Sequence, residues 1–149
     1  MIRSAVVNDL EPVLKLLTDF ASASLVDYSE WTAEDLSAAR QRLTNMILHH
    51  YLIVAEKDNI IVGMIGAMQE QDPWIASRSR LREMFWWVTP AFRRGRLSVE
   101  LYLRWERDCE RFILDKLVDQ VSLSTQPGSS DVDLSKRGWR CVENHWIKE

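Results

Sequence analysis

The run Met84-Phe85-Trp86-Trp87-Val88-Thr89-Pro90-Ala91-Phe92-Arg93-Arg94-Gly95-Arg96-Leu97-Ser98 leaves few folds open to this chain. An apolar strand stops at a proline, an arginine-rich turn with one glycine follows, and a long helix opens at once. That order builds an anion site. Turn amides and the first helix N–H groups converge on one spot, and the helix dipole adds positive charge there. Arg93, Arg94 and Arg96 flank the spot and can grip phosphate oxygens in forked pairs. A phosphate-bearing ligand is one reading of the run. A strand-to-helix turn whose arginines are merely solvated is the other.

At 149 residues the chain has the size of one domain, enough to bury a proper core. A net charge of -3 argues against nucleic acid as the main partner. The two cysteines, Cys109 and Cys141, stand in no metal or redox spacing and are expected as packed, reduced thiols. No apolar run approaches membrane-spanning length and the N-terminus lacks a signal-peptide pattern, so a cytoplasmic protein is expected. Seven tryptophans are many for this size. Some must be core, while partly exposed ones would suit a binding surface or a homodimer interface.

Along the chain, Ile2 to Val7 suits a short strand. Asn8 or Asp9 then caps a helix carrying Leu10, Val13, Leu14, Leu17 and Phe20 at helical spacing. Thr32 with Asp35 three residues on starts a second helix through Leu36, Leu43 and Ile47. Tyr51 to Ala55 and Ile60 to Met68 are apolar runs joined by the hairpin signal Lys57-Asp58-Asn59. Gln69 to Arg80 has the look of a loop, Leu81 to Val88 of a strand, and Arg96 to Lys116 of a helix. That helix shows the stripe Leu97, Leu101, Trp105, Cys109 and Phe112. Val118 to Leu123 is a further strand, and Asp131 to Arg137 a short helix ended by Gly138. Trp139 to Val142 and His145 to Ile147 suit a closing hairpin. The expected fold is one α/β (α+β) domain over residues 1–149, with a mixed, mostly antiparallel sheet and helices packed on its faces.

With this order of elements, the chain resembles the GNAT superfamily of acyl-CoA-dependent N-acetyltransferases. The family's acyl-CoA loop follows Gln/Arg-x-x-Gly-x-Gly/Ala. Here Pro90, Arg93 and Leu101 hold the framework positions, Arg96 and Ser98 stand where glycines are usual, and Gly95 falls one place early. Leu134-Ser135-Lys136-Arg137-Gly138-Trp139 is similar to the family's Tyr-x-Lys-x-Gly-Phe segment. The details, from Trp86-Trp87-Val88 to the closing His145-Trp146-Ile147-Lys148, look most like the small acetyltransferase-like proteins of tailed bacteriophages.

The resemblance implies acetyl-CoA as co-substrate. Its pantetheine arm would lie beside the fourth strand against the main chain of Trp86, Trp87 and Val88. Its diphosphate would rest on the turn amides of Arg93, Arg94, Gly95, Arg96, Leu97 and Ser98. Glu83 falls where the family often has a general base. Strict alternation puts it on one face with Phe85 and Trp87, where aromatic neighbours would raise its pKa. Pairing with Arg80 or Arg82 is the competing reading. The family's usual tyrosine acid is replaced by Leu134, and nothing in the sequence places Tyr51 or Tyr102 near the sulfur.

That loss is a handicap and no veto. Releasing a thiolate of pKa near 8.5 at neutral pH costs about 2 kcal/mol, against roughly 4.6 for deprotonating an amine of pKa near 10.4. The base is the larger requirement. Two readings of function follow. One is an N-acetyltransferase acting on an amine of a small molecule or protein. The other is a GNAT-fold binding module, in the manner of a phage effector, that engages a host protein with little catalysis. Ser24 to Trp31 and Gln69 to Arg80 would shape the acceptor side. Within the latter, Pro73-Trp74-Ile75 suits packing first, and otherwise the wall of an acceptor pocket or a partner contact. His49-His50 suits a favourable contact at a helix C-terminus. Arg104, Arg107 and Arg111, interleaved with Glu100, Glu106, Asp108 and Glu110, suit a solvated, salt-bridged helix face.

Overall fold

Asp58 and Asn59 both take positive φ, 52° and 63°, which is what a two-residue hairpin loop of the favoured hand requires. A computed structural model describes residues 1–23, 30–125 and 133–142. In it the turn joins strand β2 (Tyr51–Lys57) to strand β3 (Ile60–Gln71). With β1 (Ile2–Ser4), β4 (Ser79–Val88) and β5 (Gln120–Ser122) they form one sheet in the order β1-β2-β3-β4-β5. All neighbours are antiparallel except β4 and β5.

Helices cover both faces. Helix α1 (Leu10–Ser22) and helix α2 (Ala33–His49) bury Val13, Leu14, Leu16, Leu43 and Met46 against Leu52, Val54, Met64 and Phe85. Helix α3 (Arg96–Leu114) buries Leu101, Tyr102, Trp105 and Cys109 on the opposite face, against Ile53, Ala55, Ile65, Ala67, Leu81 and Val88. The strands of the sheet centre therefore alternate between two cores, as period-two packing requires. Thr32 caps α2 as its sequence suggests: its hydroxyl accepts from Asp35 N at 3.1 Å and Asp35 accepts from Thr32 N at 2.9 Å. The expected layered α/β architecture is the one observed.

Several local expectations change. β1 ends at Ser4, and Asp9 does not cap α1 with its side chain. Instead the buried carboxylate accepts from Val6 N and pairs with Arg3, fastening the first turn to the sheet edge. Gln69–Gln71 and Ser79–Arg80 are strand rather than loop, because Glu70 pairs with Arg80 and Arg82 across the hairpin. Charged cross-strand partners hide such a strand from a hydrophobicity pattern.

Helix α3 stops at Leu114, with Lys116 at a positive φ of 57°. A 3-10 turn, Leu134–Arg137, replaces the expected helix, capped by Asp133 and closed by left-handed Gly138. Trp139 to Val142 form no strand among the described residues; their expected partner, His145 to Ile147, lies outside those residues. Cys109 is buried as expected, whereas Cys141 is exposed. No helix among the described residues is long and apolar enough to cross a membrane.

Candidate active site

Two irregularities in β4 make the site. The first is at its outer edge. Among the described residues, parallel pairing with β5 covers only Arg80 to Arg82, opposite Gln120 to Ser122, so there the β4 edge from Glu83 to Val88 has left its neighbour. A strand edge with unpaired main-chain groups is a template for another extended chain. The second lies on the β3 side. The register runs Gly66↔Phe85 and then Ala67↔Glu83, so Met84 is an extra, bulged residue. The bulge reverses the alternation. Phe85 and Trp87 stay on the α1–α2 face, but Glu83 sits opposite Ala67, on the face that carries Leu81, Trp86 and α3.

The freed edge opens beside a cleft of about 520 Å³. Trp86, Arg93, Arg94, Ser98, Val99, Tyr102 and Leu103 line one side, and Asp133, Lys136 and Arg137 come from the segment after β5. Trp86 stacks on Tyr102 with centroids 5.3 Å apart, giving the cleft an aromatic floor. Gly95 occupies the N-cap of α3, so the N–H groups of Arg96 and Leu97 have no acceptor within the helix.

The residues expected to form the cradle are not all together. Trp86, Arg93, Arg94 and Ser98 border the cleft, while Gly95, Arg96 and Leu97 border a shallower depression with Lys57, Phe92 and Glu100. Arg96 does not reach the cleft with its side chain, which is 91% exposed and paired with Glu100 at 2.6 Å. The i,i+4 spacing of these two residues on α3 is what diverts it. Arg93 is fixed from two directions: its Nε donates to Val88 O at 2.9 Å and its guanidinium lies 4.2 Å from the Trp87 ring centroid. Val88 is buried, and its carbonyl is engaged by Arg93.

The fold of the chain recurs in solved structures. A possible acetyltransferase from Clostridium difficile 630 superposes with a TM-score of 0.70 at 16% identity, covering 100% of this chain and 96% of that one. Glucosamine-6-phosphate N-acetyltransferase from Arabidopsis thaliana gives 0.69 at 17%, with 100% and 97% covered. A predicted acetyltransferase from Clostridium acetobutylicum, solved with acetyl-CoA, gives 0.67 at 12%, with 100% and 94% covered. This is the GNAT fold. No protein-family model and no curated protein sequence matches the chain.

Within the GNAT fold, Glu83 stands where the freed edge begins. It is buried, and Ser124 N donates to its Oε2 at 3.1 Å. Neither expected arginine pairs with it, since Arg80 and Arg82 both turn to Glu70. Burial pushes its carboxyl up to about 7, with the Ser124 N–H pulling weakly the other way. The pKa rises for the reason the sequence suggests, desolvation, although the expected shared face with Phe85 and Trp87 is overturned by the bulge.

Leu134 packs against the α3 core. Tyr102, which sequence reasoning could not place, lies on the cleft wall. Its hydroxyl donates to Glu106 Oε1 at 3.0 Å, and Glu106 is ion-paired with Arg137. Burial raises the Tyr102 pKa and the Glu106 carboxylate raises it further. A helical spacing of four from Ser98 was the available signal for Tyr102. Glu106 thus ties the post-β5 segment to α3, and Asp108 is buried under Arg104 and the Tyr51 hydroxyl. Glu106 and Asp108 are accordingly structural, while Arg107, Glu110 and Arg111 stay on the expected solvated face.

The remaining expectations divide. Trp74 is 91% exposed, contrary to packing, at the tip of a turn where Asp72 Oδ1 accepts from both Trp74 N and Ile75 N at 2.8 Å. His49 ends α2 in the last turn, where a cation suits the dipole. His145 and most of Ser24 to Trp31 lie outside the described residues. Among the described residues, no group of His, Cys, Asp and Glu could hold a metal ion.

Proposed function

We propose that this chain is an N-acetyltransferase that moves the acetyl group of acetyl-CoA to an amine. The observation that carries the reading is the departure of β4 from β5 after Arg82 beside an open, cation-lined cleft at the tip of α3. An extended arm can add to the free edge of β4 as a strand would, while the diphosphate meets Arg93, Arg94 and the α3 amides. Ser98 borders the cleft without closing it. That supports tolerance of serine where the family has glycine.

In this reading Glu83 is the general base. A carboxyl near pKa 7 is half ionised at neutral pH and accepts a proton better than an ordinary carboxylate. The amine nitrogen attacks the thioester carbonyl carbon as its proton passes, directly or through water, to Glu83. The C–S bond then breaks and thiolate leaves. The bulge at Met84 interrupts the register of the β3 ladder, and main-chain groups there can meet the carbonyl oxygen. With Leu134 unable to donate, and the Tyr102 hydroxyl committed to Glu106, thiolate departs without a protein acid, at a cost of about 2 kcal/mol at neutral pH.

Calorimetric titration of acetyl-CoA tests the reading, and absence of binding to the wild type would remove it. Arg93→Ala is expected to weaken binding about tenfold or more, because it removes a cleft-lining cation that is already held in place. Arg96→Ala should change affinity less than about twofold, since that side chain is turned to Glu100. Equal losses in the two variants would contradict this division of the cradle.

A second reading, a binding module with little turnover, has its own observation in Trp74. A tryptophan presented to solvent on a braced turn is an interface residue without an interface. For a protein of the tailed-phage type, the partner would be a host protein.

A further inference from the structure

Where the β4 edge begins to part, the charges on β3 and β4 do not cancel. Among the described residues Arg82 is the last residue of β4 paired with β5, and it immediately precedes Glu83. Its partner on β3 is Met68, which packs against the α1–α2 core, so Arg82 stands on the α1–α2 face while Glu83 stands on the other. Glu70 and Arg80 are partners two residues further along the face of Arg82. Two guanidinium groups there share one carboxylate oxygen: Arg80 Nε lies 2.6 Å and Arg82 Nε 3.2 Å from Glu70 Oε1. One positive charge is left over.

Arg82 is the looser of the two. Its side chain is 49% exposed, its contact with Glu70 is the longer one, and its terminal nitrogens donate to nothing among the described residues. An exposed pair of this kind is weak, and the unused arms of a guanidinium fit a carboxylate or a phosphate in a forked pair. Acetyl-CoA held in the cleft would cover the freed edge from the α3 side, which Trp86, Val99, Tyr102 and Leu103 line. The α1–α2 side of that edge is left for a second substrate, and Arg82 stands there beside Glu83.

We propose that the acceptor is a primary amine that also carries an anionic group, a carboxylate or a phosphate, and that Arg82 is the residue that selects it. The anion takes the free arms of Arg82, with Arg80 as the second cation, while the amine nitrogen reaches Glu83 past the freed edge. The proposal rests on the acetyltransferase reading and deepens it by naming the class of acceptor.

The test follows thiol release from acetyl-CoA with primary amines taken in pairs that differ by the anion: ethanolamine with phosphoethanolamine, propylamine with β-alanine, tyramine with tyrosine. At least one anion-bearing member is expected to exceed its partner about tenfold or more in kcat/KM, the size of one charge-assisted contact, with the difference in KM. Phosphoethanolamine against the two carboxylates tells which anion is preferred. Arg82→Gln should bring the members of that pair together, and Arg82→Lys should restore part of the gap. A residue that only braces the β3–β4 hairpin would lower both members alike. Neutral amines that match or exceed their anionic partners would overturn the proposal and leave the acetyltransferase reading standing. A gap unchanged in Arg82→Gln would remove Arg82 as the selecting residue. Release with none of the six amines would also overturn the proposal, and failure of acetyl-CoA to bind would overturn the parent reading with it. Arg82 is half exposed, so its loss does not threaten folding, which circular dichroism of the variant verifies.

Discussion

Glu83→Gln is expected to be more stable than wild type at pH 8 and nearly inactive. Glutamine keeps an oxygen to accept the Ser124 N–H bond. It removes a charge that the buried site does not welcome. A carboxyl held near 7 rather than the ordinary 4.5 binds a proton more tightly folded than unfolded. Stability from that group is therefore full below pH 4.5, falls as pH rises from 4.5 to 7, and is level above. The deficit corresponds to about 3 kcal/mol at pH 8. Denaturant melts of wild type and variant at pH 5 and pH 8 check this: the advantage of glutamine should grow with pH across that window.

Acceptor-dependent thiol release should fall 10²- to 10⁴-fold, roughly the worth of a positioned base. In wild type the rate should climb as pH rises through about 7, since the base must be ionised to act. If release is unchanged in the variant, Glu83 has no part in the chemistry. A pH-independent stability difference would mean that the carboxyl is ionised in the folded protein throughout. The two readouts move in opposite directions, which separates a functional carboxyl from a structural one.

The second large effect is expected at Gly66, which faces Phe85 next to the bulge. A Cβ there would run into the Phe85 ring and come within 2.8 Å of Met46 Sδ. Phe85 and Met46 are both buried in the α1–α2 core, so neither has open space to retreat into. Gly66→Ala is thus expected to cost about 2–3 kcal/mol of overpacking, a fall of roughly 5–10 °C in Tm. Combining it with Phe85→Leu should recover part of that loss, a coupling that a double-mutant cycle measures. Strict additivity of the two changes would show that the ring is not what the new methyl meets. Thiol release should fall as well, because the displaced Phe85 adjoins the bulge that sets where Glu83 points.

The bulge also marks the limit of what the residues disclose. Local chemistry was legible wherever one residue type suits one geometry: Asp58-Asn59 in the β2–β3 turn, Thr32 with Asp35 at the start of α2, Gly138 after the last 3-10 turn. The stripe from Leu97 to Phe112 gave α3 its buried face for the same reason. Met84 carries no such signal. It is neither glycine nor proline, and only pairing with β3 makes it the extra residue. Alternation counted through it sends Glu83 to the wrong face.

Arg96 and Arg94 are equally indistinguishable in sequence, and only the reach of Glu100 on the next turn sets them apart. Asp108, which a helix pattern assigns to solvent, is buried because Tyr51 arrives from another strand. For Met84 and Asp108 the deciding partner is distant along the chain, whereas for Arg96 it is four residues away.

Arg93 belongs to both halves of this protein. It borders the cleft on the α3 side, yet its guanidinium rests on Trp87, whose indole meets Phe20 of α1 edge-on at 6.0 Å. Drift in the first helix that shifts Trp87 must carry the arginine with it. The layer that would adapt to new acceptors and the layer that would keep the donor are consequently not free to diversify as separate modules; selection on either one is felt by its opposite.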